Sequence, residues 1–161
     1  MAGVKPRGEG LPVSEFTHPV SLSAMALMAV NDHFLKGMQS IPGWFTGKLS
    51  DICGMIFFPL FLTALFDTLL YALHLLTGET FYSRVFPPYT LSRRRLLIAV
   101  VAVAVGFSVL QVLPQAVHVY SGFHRLVGIS VRVTQDPTDL LALPFLGVAY
   151  LVGMRRVARG R

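Results

Sequence analysis

The chain has 161 residues, of which 53% are hydrophobic and 14% charged, whereas a soluble domain carries about 25% charged residues. That balance excludes an ordinary soluble domain and indicates a lipid-embedded one. The net charge of +6 does not describe a nucleic-acid footprint: the arginines gather at Arg93, Arg94 and Arg95 and at Arg155, Arg156, Arg159 and Arg161, each group flanking an apolar run as juxtamembrane anchors do. A single cysteine, Cys53, excludes an internal disulfide, and no CxxC or Cys/His array offers a structural zinc site.

Residues 1–18 mix acids with bases and are rich in Gly and Pro, which reads as a flexible cytoplasmic segment rather than a cleaved signal. A membrane helix needs about 20 mostly apolar residues. Four segments are expected to meet this need, at about 19–37, 51–76, 96–117 and 137–154, with residues 155–161 as a basic cytoplasmic tail. The first is the least apolar and crosses only if Asn31, Asp32 and His33 lie in its last turns. Segment 78–89, with Pro87 and Pro88, reads as a cytoplasmic loop. With the N-terminus inside, Lys5, Arg7, Arg84 and the two arginine clusters are cytoplasmic, and only Lys36, Lys48, Arg125 and Arg132 lie opposite. The positive-inside bias therefore predicts an N-in, C-in topology. The expected fold is all-α, a four-helix transmembrane bundle in a bacterial inner membrane.

This topology brings three polar motifs to the extracytoplasmic face. "NDHFLKG" ends the first helix. There Asp32 and Lys36 are spaced to pair at i,i+4, yet Asp32 opposes the helix dipole, so a metal, a cation or a proton would account for it better. Asn31 is suited to capping or bridging backbone groups, and His33 is an ionisable group at the water boundary. "PGWFTGKLSD" leads into the second helix: Pro42 and Gly43 suit a turn, Trp44 a headgroup anchor, and Thr46 or Ser50 a cap, which would put Lys48 and Asp51 in the first turn. Asp51 there complements the dipole, and Lys48 needs an anion, either Asp51 or a bound phosphate. "DPTDLLALP" reads as a helix start with Asp136 as N-cap, Pro137 at the first position and Asp139 in the first turn. Gln111, Gln115 and His118 are spaced as one stripe at the outer end of the third helix.

Asp32, His33, Lys48, Asp51 and Asp139 are thus the candidates for acid–base work. Asn31, Lys36, Trp44, Gln115, His118 and Asp136 are the candidates for binding, and Asp32, Asp51, Asp136 and Asp139 for holding a divalent cation. The ligand class expected from lysines beside helix N-termini is an anionic lipid, a lipid-linked group or a phosphate. Two other readings stand beside this one: a channel or transport component, for which the helix interiors are poor in polar groups, and a structural protein, homo-oligomeric or partner-binding, whose polar cluster pins the helices. Asp67 and His74 share a stripe toward the cytoplasmic half of the second helix, where an acid calls for a partner on a neighbouring helix. Small residues, Gly54, Gly106, Ser108, Gly147 and Gly153, would permit close helix approach.

The stretch "TDLLALPFLGVAYLVG", residues 138–153, resembles the last membrane helix of VanZ-like bacterial membrane proteins, and "NDHFLKG" is similar in content to that family's early helix. The resemblance implies a cell-envelope or glycopeptide-tolerance connection. The family's acidic-plus-glutamine motif in the preceding helix is absent here, where only Gln111 and Gln115 stand.

Overall fold

The computed structural model describes residues 15–77, 93–126, 128, 130 and 133–159. Among these every regular element is helical. The order is α1 (Pro19–His33), a short 3-10 turn (Leu35–Gly37), α2 (Gly43–Thr77), α3 (Arg93–Val112), α4 (Pro114–Leu126), a 3-10 helix (Pro137–Phe145), and α5 (Leu146–Arg159), which continues it. The expected loop at 78–89 and the N-terminal segment up to residue 14 lie outside the described residues.

Among the described residues three stretches are long and apolar enough to cross a bilayer: Gly43–Leu69, Arg93–Val112 and Pro137–Arg155. The first expected span is not among them: α1 has 15 residues and is about 22 Å long at about 1.5 Å per residue. Helix α2 is the hub. It packs against α1 on one side and against α3, α5 and the 3-10 helix on another, and α3 and α5 also touch each other.

Each contact is built from residues at helical spacing. Ala24 of α1 meets Cys53 and Phe57 of α2, with Phe16, Met28 and Phe61 around them; the Phe57 and Phe61 rings stack at 5.5 Å, and Phe16 tilts against both. Cys53 is a buried small hydrophobe. On the other side Leu60 of α2, Leu96 of α3, and Ala149 and Val152 of α5 form one core. Met55, Ala142 and Leu146 form a second beneath the 3-10 helix.

Of the small residues expected at close approaches, Gly153 fills the role. A Cβ there would lie 2.6 Å from Leu96 Cδ2, whereas Gly106 and Gly147 have open space around them.

The sequence predicts bends at Pro59, Pro114 and Pro144, and at Pro114 the chain breaks, with a visible remedy. Pro114 has no N–H and separates α3 from α4, so the Leu110 carbonyl loses its i+4 partner. Gln135 Nε2 donates to that carbonyl at 3.0 Å. The third span therefore ends at Val112 rather than near residue 117. Helix α5 runs through Arg159, so Arg155, Arg156 and Arg159 of the expected tail extend the last helix, and Arg161 lies outside the described residues.

Candidate functional site

The end of α1, the start of α2, the end of α3 and the start of the 3-10 helix meet at one end of the molecule, and most of the polar residues singled out from the sequence meet there too. They form two adjoining networks.

The first joins α1 to α2. Asn31 is fully buried, and its Nδ2 donates to the Thr46 carbonyl at 2.7 Å and to Ser50 Oγ at 2.7 Å. Ser50 Oγ donates to Asp32 Oδ1 at 2.6 Å, and Lys36 Nζ lies 2.7 Å from the same oxygen. The expected i,i+4 pair is present, but Asp32 is also tied across to α2. A buried amide with both hydrogens used on one neighbouring helix fixes α1 on α2 more firmly than the half-exposed ion pair, which is worth only a few tenths of a kcal/mol. The Asn31 Oδ1 atom is buried without a partner.

The second network joins α2, α3 and the 3-10 helix. Lys48 Nζ donates to Asp139 Oδ1 at 3.0 Å and to Thr138 Oγ1 at 2.7 Å, and lies 3.9 Å from Asp136 Oδ2. Gln111 of α3 completes it: its Nε2 donates to Asp139 Oδ2 at 3.2 Å, and its Oε1 accepts the Asp136 backbone N–H at 3.0 Å. Asp136 caps the 3-10 helix as the sequence indicates, accepting from the Thr138 backbone N–H and hydroxyl at 2.9 and 2.7 Å. Those two bonds, with the nearby Lys48 charge, hold the Asp136 carboxyl below the usual carboxylate range.

The start of α2 differs from the sequence-based expectation. The helix begins at Gly43, and the Phe45 and Thr46 amides donate to the Pro42 carbonyl. Thr46 and Ser50 are therefore not caps: Thr46 Oγ1 donates back to the Gly43 carbonyl, and Ser50 faces Asp32. Lys48 and Asp51 lie beyond the first turn, so the dipole account of both is replaced. The anion that Lys48 needs is Asp139, with Asp136 behind it.

Asp51 lies between the networks, near enough to Lys36 and Lys48 to be attracted and to Asp139 and Asp136 to be repelled. It is the aspartate, among the described residues, to which no hydrogen bond or ion pair is made.

Four expected site residues stand apart. His33 is exposed and makes no hydrogen bond or ion pair among the described residues. Gln115 and His118 belong to α4, past the break at Pro114, and both are exposed, so they do not continue the Gln111 stripe. Trp44 is 68% exposed at the first turn of α2, its ring edge-on to Phe45, as a headgroup-level anchor would be.

Among the described residues no three His, Cys, Asp or Glu side chains are grouped to hold a metal ion. The acids expected to do so are divided, with Asp32 committed to Ser50 and Lys36, and Asp136 and Asp139 to Lys48.

Gln111 and Thr138 are the site residues that sequence reasoning undervalued. A buried glutamine in the last turn of an apolar helix was the available signal, since such a group requires polar partners at that level.

At the opposite end Asp67 pairs with Arg95 of α3, both mostly buried. The acid in the second helix thus has the interhelical partner that its position calls for, and Arg95 is more than a headgroup anchor.

Comparison of the chain with protein-family models, with curated proteins and with solved structures finds no match.

Proposed function

We propose that the protein is an integral membrane protein that crosses the bilayer four times with both termini cytoplasmic, and that its extracytoplasmic polar cluster locks the helices into one arrangement. The carrying observation is that Lys48, Asp136 and Asp139, the charged groups at its centre, are engaged with one another. Lys48 is held by Asp139, Thr138 and Asp136, and Asp139 by Gln111 as well. An anionic headgroup or phosphate reaching Lys48 would have to displace these partners.

The antiparallel register of α1 on α2 supports a fourth crossing. Asn31 sits at Thr46 and Ser50, and Phe16 reaches Phe61, which is about 9 Å along the helix from Asp67. A double-mutant cycle tests the lock: Lys48→Met and Asp139→Leu each lower the melting temperature in nanodiscs, and the double variant melts no lower than the worse single one. Additive losses would show that the pair does not act as a unit.

One observation favours a ligand site as well, namely the unpartnered Asp51. With four aspartates facing two lysines at this end, the open carboxylate suits a proton, a small cation or an ammonium group better than an anion. Under this reading cations raise the melting temperature of the native chain and not of Asp51→Asn, while phosphate has no effect. The VanZ-like resemblance adds an envelope role as a proposal, tested by the glycopeptide sensitivity of a strain lacking the protein.

A further inference from the structure

Helix α4 carries an apolar face that the other described residues leave exposed. At about 100° per residue, Ala116, Val119, Tyr120, Phe123 and Leu126 share one side, with Gln115 at its edge, and His118, Ser121 and Arg125 the other. Val119, Phe123 and Leu126 are 75%, 64% and 85% exposed. Helix α4 packs chiefly on α3.

Its level is fixed by the residue that precedes the break. Gln111, in the last turn of α3, reaches Asp139 and the Asp136 backbone, so α4 starts within a turn of the polar layer that bounds the apolar span. Trp44, Phe45 and Phe34 are exposed at the same end, as in an interfacial aromatic belt. The exposed stripe of α3, Val101, Val105, Val109 and Val112, leads directly into this face. With α3 read as a membrane span, the surface that covers that stripe is lipid.

We infer that α4 lies along the bilayer surface at the polar-cluster end, with Val119, Phe123 and Leu126 in the acyl boundary and Arg125 and His118 toward headgroups and water. The inference rests on the membrane-spanning reading of α3. Pro114 supplies the break that lets the chain leave the span.

Spin labels on the full chain, in a Cys53→Ala background and in nanodiscs of phosphatidylethanolamine and phosphatidylglycerol, test it. Labels at Phe123→Cys and Val119→Cys should be relaxed by oxygen and protected from a water-soluble nickel chelate, at a shallower depth than Val105→Cys in α3. Arg125→Cys should show the reverse preference. Equal nickel access at positions 123, 119 and 125, with position 105 protected, overturns the inference alone. Spectral broadening at position 123 that unlabelled protein dilutes away assigns the face to a second copy and also overturns it. Nickel access at position 105 overturns the membrane reading itself.

Discussion

At the scale of single residues, the polar end is organised by side chains that each bind two elements. Gln111 is the sharpest case, because its amide serves Asp139 with one end and the Asp136 amide with the other. Gln111→Leu removes both bonds while leaving their partners half-buried, and is expected to cost about 1–3 kcal/mol, read as a lower midpoint in chemical denaturation. Gln115→Leu, on the exposed side of α4, should leave that midpoint unchanged.

Asp136 predicts a pH dependence. Its carboxyl titrates lower in the folded chain than in the unfolded one, so its stabilising contribution is complete above the unfolded value of about 3.9. That contribution is lost as pH falls through the folded value. Thermal melts from neutral pH downward should therefore show the native chain converging on Asp136→Asn in that acid range. The N-cap was legible in the sequence because Asp136, Pro137 and Asp139 define it locally. The partner of Lys48 was not, since 91 residues separate Lys48 from Asp139 and only the packing of α2 beside the 3-10 helix brings them together.

Among the elements, α2 was the most misleading. Pro42, Gly43 and Gly47 suggest a turn followed by a late start, but the packing of Leu49 against the α1 contact and the Asn31 bond to the Thr46 carbonyl favour helix from Gly43 onward. Tertiary contact here outweighs local propensity. The break at Pro114 was legible as a bend, and its depth was not, because the apolar run continues past it to Val117. Helix α5 has the clearest packing requirement. Gly153→Ala would place a methyl group against the buried Leu96 and is expected to cost about 1–3 kcal/mol by overpacking. Gly106→Ala, facing open space, should be neutral in the same thermal assay.

Across the whole molecule, two polar layers bracket the apolar cores. The Asp51 level and the Asp67–Arg95 pair are both carried by α2, about 24 Å apart at about 1.5 Å per residue. That separation approaches the roughly 30 Å of bilayer hydrocarbon, so each layer falls near one boundary. Under the proposed topology the Asp67–Arg95 layer is the cytoplasmic one. Alkylation of single cysteines in intact cells checks this: Lys36→Cys and Arg125→Cys should react with a membrane-impermeant reagent, and Lys5→Cys and Arg155→Cys only after permeabilisation. Reaction of Lys5→Cys in intact cells would place the N-terminus outside and reduce the crossings to three. The helical membrane class was legible from composition alone. The division of the polar residues into two networks was not, since it depends on which faces of α2 meet α1 and which meet α3.

The 3-10 backbone of Pro137–Phe145 has a consequence for how the last span fits its solvent. Its nine residues rise about 2.0 Å each and extend about 18 Å, against about 14 Å for the same residues as α-helix. A span of 19 residues that would otherwise match a thin bilayer thereby gains about 4 Å of reach. Each 3-10 residue also advances about 20° further around the axis than an α residue, so the stretch sets the rotational phase between Asp139 at its start and Ala149 beyond its end. Rewinding it to α-helix would shorten the span and turn Asp139 out of register with Lys48, so the length of this stretch and the integrity of the polar layer are set by the same nine residues.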